Sequence, residues 1–258
     1  MDITDFNMGY FSLKGKNAIV TGGNTGLGQA FSLALAKAGA NIFMPSIMPD
    51  DADFNRLIES EGGKAVYMKA DITKDGIPKK IVEECVEKLG SVDILVNCAG
   101  ICLIADVLNF GRKEWDPMVS INLTAAFEMS AEVTKFFIPQ KSGKIINICS
   151  LFSFLGGQWS PAYSATKHGL AGLTKAYCDE LAQYNVQVNG IAPGYFKTKV
   201  AQASIDNPER NKWIVDHTPE GRWGDVADLM GATVFLASQA SQFVNGHILS
   251  VDGGFLTR

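Results

Sequence analysis

Tyr163 and Lys167 stand four residues apart in the run YSATK, and Ser150 lies a short way upstream. Their side chains suit one kind of chemistry. A free tyrosine is a poor base at neutral pH, because its pKa is about 10. A cationic amine beside a phenol favours the phenolate, so such a pair can take a proton from an alcohol and give it back. A serine hydroxyl can hold the substrate oxygen through the transition state. The three together suit exchange between a secondary alcohol and a ketone, with a hydride leaving carbon as the proton leaves oxygen. The spacing alone is weak, since Tyr10/Lys14 and Tyr195/Lys199 repeat it. Tyr10 precedes the first predicted strand, and Tyr195 follows Pro193-Gly194 in a predicted loop. Only Tyr163 sits near the start of a long helical pattern, which puts Lys167 one turn on and on the same face. The plainer alternative is a helix-surface tyrosine beside a solvated lysine.

The elements that must position this group alternate. Short β-branched runs predict strands at Asn17–Thr21, Asn41–Met44, Lys64–Met68, Ile94–Asn97, Lys144–Cys149, Val186–Ile191 and His247–Val251. Between them, helical periodicity covers Leu27–Ala38, Asp51–Glu61, Pro78–Leu89, Lys113–Phe137, Ala162–Tyr184 and Val226–Ser238. AIVTG and DILVN are apolar on both faces, as strands of a parallel sheet covered on both sides should be. A βα alternation of this length fits a doubly wound sheet or a closed βα barrel. The first βα turn, Thr21-Gly22-Gly23-Asn24-Thr25-Gly26-Leu27-Gly28, decides between them. Glycines there let a pyrophosphate approach backbone N–H groups at a helix N-terminus, where the helix dipole favours an anion. The expected fold is α/β: one Rossmann-type domain over residues 1–258, with a doubly wound, parallel, seven-stranded sheet and helices on both faces.

Composition excludes several classes. With 258 residues, 47% of them hydrophobic, the chain can bury a large core. A net charge of −4 and no Lys/Arg cluster argue against nucleic acid as a partner. No apolar stretch reaches the roughly 18 residues of a membrane span. The opening residues MDITDFNMGY lack the basic and apolar runs of a signal peptide, so a cytoplasmic protein without membrane partners is expected. Cys85, Cys98, Cys102, Cys149 and Cys178 suggest no disulfide framework, and neither they nor His168, His217 and His247 form a metal-ligand motif.

The ordered motifs resemble the short-chain dehydrogenase/reductase family over nearly the whole chain. They are TGGNTGLG at 21–28, ADIT at 70–73, NCAG at 97–100, Asn122 within SINLTAAF, Ser150, YSATK at 163–167 and APGYFKT at 192–198. The resemblance implies a catalytic tetrad of Asn122, Ser150, Tyr163 and Lys167. Asn122 would hold a water joining Lys167 to a proton relay, and Lys167 would also grip the nicotinamide ribose. Gly22, Asn24, Thr25, Gly26, Leu27 and Gly28 would line the pyrophosphate, with Asp71 and Ile72 at adenine. Asn97, Ala99 and Gly100 would border the adenosine half, and Pro193, Gly194 and Thr198 the nicotinamide. Cys98 stands where the family commonly has a second asparagine, a change expected to cost only a local adjustment. Relatives are commonly tetramers, so a homo-oligomer is expected.

Cofactor and substrate choice rest on thinner signals. The second strand ends in Met44-Pro45-Ser46-Ile47-Met48, with neither the acid that receives a ribose 2′-hydroxyl nor the cation that pairs with a 2′-phosphate. Ser46 can still bond a hydroxyl, so NAD is expected, with NADP left open. Asp50 or Asp51 could reach the ribose, or simply begin a helix. FSLKGK, GRWGDVADLMG and FVNGHILSVDGGFLTR look like the sugar-acid branch of the family, which includes 2-dehydro-3-deoxy-D-gluconate 5-dehydrogenase, 2-deoxy-D-gluconate 3-dehydrogenase and gluconate 5-dehydrogenase. Those relatives typically carry arginines just after the N-A-G motif, whereas Ile101–Asp106 here holds no cation. A neutral sugar, polyol, steroid or 3-oxoacyl substrate, or a dinucleotide sensor without turnover, are the alternatives. Lys197, Lys199 or Arg222 could supply the missing charge. The stretch Phe196–Trp223, without clear regularity, is expected to be a mobile lid, and Gln158 and Trp159 to line the substrate mouth beside Ser150 and Tyr163.

Overall fold

The computed structural model describes residues 3–257. Among them, β1 (Asn17–Val20), β2 (Asn41–Ser46), β3 (Ala65–Lys69), β4 (Ile94–Asn97), β5 (Gly143–Ile148), β6 (Val186–Pro193) and β7 (Ile248–Val251) form one sheet. The order is β3-β2-β1-β4-β5-β6-β7, and every pairing is parallel. β1, β4 and β6 are buried along their whole length, which explains why they read as unbroken apolar runs. Ala18 and Val20 pack with Phe31 and Leu35 of α1 (Gly26–Lys37), Ile58 of α2 (Ala52–Ser60) and Leu236 of α9 (Met230–Ala237). Ile19 points the other way, into a core with Ile81 of α3 (Ile77–Leu89), Val133 of α5 (Ala125–Gln140) and Leu181 of α6 (Pro161–Leu181). The chain winds outward from β1 in both directions, so the strand order reverses between β1 and β4. In open α/β sheets the crevice at that switch point, outside the carboxyl ends of the strands, is where ligands bind.

Three expectations shift. β2 and β6 run on through Pro45 and Pro193, past the predicted ends at Met44 and Ile191. Pro45 lies beyond the last β1–β2 register pair, Ile19–Phe43, so its missing N–H breaks no bond to β1. The predicted helix Lys113–Phe137 is interrupted. It comprises α4 (Arg112–Val119), a π turn over Ser120–Thr124 and α5, with the Ala125 N–H reaching back to the Ser120 carbonyl.

The third concerns Phe196–Trp223, which contains α7 (Gln202–Asp206) and α8 (Pro208–His217). These helices are too short for apolar periodicity to register, and α8 buries only Ile214. Local signals specify α8: Asn207 caps the Arg210 N–H, and Pro208 takes the first position. Phe196 and Trp223 are buried, and a bridge from Phe196 to Gly224 closes the segment at its base. No described helix is long and apolar enough to cross a membrane.

Candidate active site

Ser150 lies two residues beyond the end of β5, where the chain turns into a short 3₁₀ turn at Leu151–Ser153. Its hydroxyl accepts the Phe152 N–H at 3.3 Å, and its own N–H donates to Ser153 Oγ at 3.3 Å. Ser153 Oγ in turn donates to the Lys167 carbonyl at 2.8 Å, tying the turn to α6. The α6 N-terminus is fixed from another side, because Ser160 Oγ donates to the Leu103 carbonyl at 2.7 Å. Tyr163 therefore sits in the first turn of α6, with the Phe152 ring edge-on at 5.9 Å.

One helical turn later, the buried Lys167 extends its ammonium to within 5.5 Å of the Tyr163 ring centroid. Burying a cation is costly unless it is hydrogen-bonded, and Nζ donates to the Ile148 carbonyl at 2.6 Å. An ammonium has donors to spare beyond that bond. The expected helical juxtaposition is thus realised at the carboxyl end of β5.

Asn122 lies in the π turn, which widens the helix there. Its Oδ1 accepts the Ile101 N–H at 2.9 Å, and its Nδ2 donates to the Ile101 carbonyl at 2.9 Å and to Thr166 Oγ1 at 3.3 Å. Thr166 Oγ1 donates to the Tyr163 carbonyl at 2.9 Å. The Asn122 side chain thereby clasps the loop after Gly100 onto α6, a positioning role beyond the relay water that the resemblance implied.

The glycine turn lies at the switch point. Thr25 caps α1 without a side-chain bond, so the first N–H groups of the helix keep no protein acceptor of that kind. Gly26 has φ of 52°, and a Cβ there would meet nothing within 4 Å. Gly28 is the opposite case: a Cβ would lie 2.1 Å from the Gly22 carbonyl oxygen. A tight turn, an open floor and free N–H groups at a helix start are the arrangement a pyrophosphate needs. Asn24 Oδ1 is buried beside them without a partner, while its Nδ2 donates to the Pro49 carbonyl at 2.8 Å.

The remaining expected residues gather at the same edge, in differing ways. Thr21 Oγ1 accepts the N–H groups of Cys98 and Ala99, each at 3.0 Å, and so shapes the N-C-A-G turn. The Asn97 amide faces inward, donating to Asn147 Oδ1 at 2.9 Å and Ser130 Oγ at 3.1 Å. Burial pushes the Cys98 thiol up to about 12, so it stays neutral. Asp71 accepts the Thr73 hydroxyl and N–H, which hold its carboxyl below the usual range, and Ile72 is buried behind it. Gly194 abuts Asp252, where a Cβ would meet backbone at 2.7 Å, and Thr198 caps the turn at Lys199–Ala201. Ser46 is buried, with Oγ accepting the Met48 N–H at 3.1 Å. Asp51 caps α2 and Asp50 accepts from Asn55, so both behave as helix-start acids. Lys69 stands in register with Ser46 on the neighbouring strand, a cation that sequence distance had hidden.

The fold, the glycine turn and the Ser150–Tyr163–Lys167 group agree with one family. The family description "short chain dehydrogenase" matches residues 16–209. This chain belongs to the short-chain dehydrogenases. As a short-chain dehydrogenase it is an NAD(P)-dependent oxidoreductase acting on CH–OH groups. It is 65% identical to the uncharacterized oxidoreductase YgcW of Escherichia coli K12, over 98% of this chain and 97% of that one. It is 44% identical to the 2-dehydro-3-deoxy-D-gluconate 5-dehydrogenase of the same strain, over 96% of this chain and 98% of that one. Among solved structures, a gluconate 5-dehydrogenase from Burkholderia cenocepacia J2315, in complex with NADP and tartrate, superposes with a TM-score of 0.90. That pair is 37% identical, over 96% of this chain and 98% of the other.

The residues expected to line the substrate mouth of this short-chain dehydrogenase lie in a turn. Gln158 and Trp159 are exposed, Trp159 with φ of 61°, and the Trp159 carbonyl accepts the Ala105 N–H at 2.9 Å. Ile104, Leu108 and Val200 are exposed too. Two of the three cations expected to supply charge are engaged: Lys197 pairs with Asp225, and Arg222 with Glu220 and Asp228. Lys199 is exposed. Sequence reasoning passed over Thr21, Ser153, Ser160 and Thr166, hydroxyls that hold the turns in place, and no spacing rule marks them.

Proposed function

We propose that this dehydrogenase interconverts a secondary hydroxyl and a ketone on a sugar acid of the gluconate or keto-deoxy-gluconate type, with NAD(H) as the preferred cofactor. The observation that carries the chemistry is the buried Lys167 ammonium 5.5 Å from the Tyr163 ring, beside Ser150. A bound nicotinamide supplies the hydride acceptor in oxidation and the donor in reduction. Tyr163 takes the proton of the substrate hydroxyl at its phenolic oxygen and returns it in the reverse direction. Ser150 donates to the substrate oxygen as charge grows there. Lys167 sets a positive charge beside the Tyr163 ring and keeps donors free for ribose hydroxyls. Asn122 positions the pair by joining Ile101 to Thr166. Gln158 and Trp159 contact the substrate from the mouth, and residues 196–223 cover it. The sugar-acid assignment draws on the relatives so named at about 40% identity.

For the cofactor, the apolar end of β2 and the buried Ser46 favour a 2′-hydroxyl. A second reading, NADP, is favoured by Lys69 beside Ser46, whose ammonium could meet a 2′-phosphate. The test is turnover of aldonates, keto-aldonates, alditols and hydroxysteroids, each with NAD and with NADP. The proposal expects an aldonate or its keto form to be preferred, and NAD by at least about 10-fold in kcat/KM, a gap of about 1.4 kcal/mol. Preference for NADP that is lost in Lys69→Ala establishes the second reading. Oxidation of hydroxysteroids alone overturns the substrate assignment.

A further inference from the structure

Among the described residues, the segment joining β6 to α9 carries Lys197, Lys199, Arg210, Lys212 and Arg222. Lys197, Lys212 and Arg222 each have a carboxylate partner, and Lys199 lies in the open. Arg210 differs. It is half-buried on α8, and no described carboxylate pairs with it. Its guanidinium lies 4.7 Å from the Trp213 ring centroid and 5.8 Å from that of Tyr195, and Nη2 donates to Tyr195 Oη at 3.3 Å. Contact with two rings restricts a guanidinium and displaces water from around it. Its other N–H groups are given to no described side chain, so the fork keeps its edge for another acceptor.

The place of this fork points to that acceptor. Tyr195 follows Pro193-Gly194 directly at the carboxyl end of β6. β6 lies beside β5, with Ile148 opposite Ile191 in register, and Ser150 is two residues beyond Ile148. Tyr195 and Ser150 thus leave neighbouring strands at the same edge. Burial pushes the Tyr195 phenol up, against the pull of Arg210, so it stays protonated and can donate. Phe255 packs edge-on against Tyr195 at 5.4 Å and holds its ring from behind.

We infer that Arg210, held by Tyr195 and Trp213, receives the carboxylate of the substrate, with the Tyr195 hydroxyl as second donor. Arg210 thereby takes the place of the cation that Ile101–Asp106 lacks. A planar fork with two parallel donors matches a carboxylate, and the aromatic clamp lowers the cost of ordering it. The inference rests on the sugar-acid reading and extends it to a named partner.

The test compares an aldonate with the alditol that carries CH2OH in place of its carboxylate, in wild type, Arg210→Lys, Arg210→Met and Tyr195→Phe. For Arg210→Met the ratio of kcat/KM, aldonate over alditol, is expected to fall about 10- to 100-fold, mostly through KM, with kcat on the aldonate held within about threefold. Arg210→Lys should retain part of the preference and Tyr195→Phe should lose a few-fold of it. Cofactor affinity and melting temperature report on folding, and Arg210→Lys and Tyr195→Phe carry the test if Arg210→Met is unstable. An unchanged ratio in these variants overturns the assignment of Arg210 while leaving the sugar-acid reading standing. Equal losses on both substrates, following the melting temperature, make Arg210 a structural clamp and overturn it likewise. A wild-type enzyme that oxidises the alditol but no aldonate removes the sugar-acid reading, and this assignment with it.

Discussion

The two sides of the cleft are built differently. On the side of β5 and α6, Ser150, Tyr163 and Lys167 are cross-linked by hydrogen bonds through Ser153, Thr166 and Asn122, most of them buried. On the other side, Ile104, Leu108, Trp159 and Val200 stand in loops and short turns, each more than half exposed. The first side has one arrangement, over-determined by its bonds. The second is exposed, so it can be altered residue by residue without disturbing a buried network. Active sites that need sub-ångström placement are set on rigid elements, while specificity is carried by loops on that scaffold.

The sharpest way to break the comparison is to remove one group from the rigid side. Ser150→Ala is expected to lower kcat by about 10²- to 10³-fold, or about 3–4 kcal/mol in the barrier, with the cofactor Kd within a few-fold. Steady-state kinetics beside a fluorescence titration of NADH would check it. A second blow falls on the glycine turn. Gly28→Ala forces a Cβ against the Gly22 carbonyl oxygen at 2.1 Å, backbone that cannot swing away. It should cost about 1–3 kcal/mol of stability and weaken dinucleotide binding at least about 10-fold, read by urea unfolding and the same titration. Gly26→Ala tests a different constraint, since space is open there but φ is positive.

On the loop side the expected effects are smaller and of another kind. Replacing Gln158 and Trp159 together by alanine should change relative kcat/KM across a substrate panel by about 10-fold while the melting temperature moves little. Unchanged preference would remove these residues from the substrate mouth. The smallest effect lies away from both sides, at the amino end of β5. Burial depresses the Lys144 ammonium to about 8, and among the described residues its Nζ meets only Ser241 Oγ, at 3.4 Å. Between that value and the ordinary lysine range near 10.4, the unfolded chain binds more protons than the folded one, so this group makes stability rise with pH there. Lys144→Met should therefore stabilise by about 1 kcal/mol at pH 7, less than the shift implies because the side chain is partly exposed, and the gain should shrink toward pH 10. Unfolding curves at the two pH values decide it.

The same contrast decides what was legible in the sequence. β1, β4 and the glycine turn are local signals, an apolar run ending in a phosphate-sized turn, and they lie where the residues predicted them. Tyr163 and Lys167 were readable because one helical turn relates them. The π turn at Ser120–Thr124 was not, since SINLT keeps a helical pattern and the extra residue is set by what Asn122 must clasp. Likewise Asn207-Pro208 is a sound helix start, but α8 has one buried residue and no period to read. Lys69 and Arg210 were passed over because their relevance comes from neighbours distant in sequence: Ser46 on the adjacent strand, and Tyr195 at the end of β6.

The central claim is that Tyr163 moves the substrate proton while the rest of the cleft holds and orients. It is met most directly by Tyr163→Phe, assayed for turnover of the best aldonate or keto-aldonate and titrated with NADH. Phenylalanine keeps the ring beside Phe152 and Lys167 and deletes only the hydroxyl. The expected result is a fall in kcat of at least about 10³-fold, about 4 kcal/mol, with the NADH Kd within a few-fold of wild type. Retention of more than a few per cent of wild-type kcat, with binding intact, would contradict it.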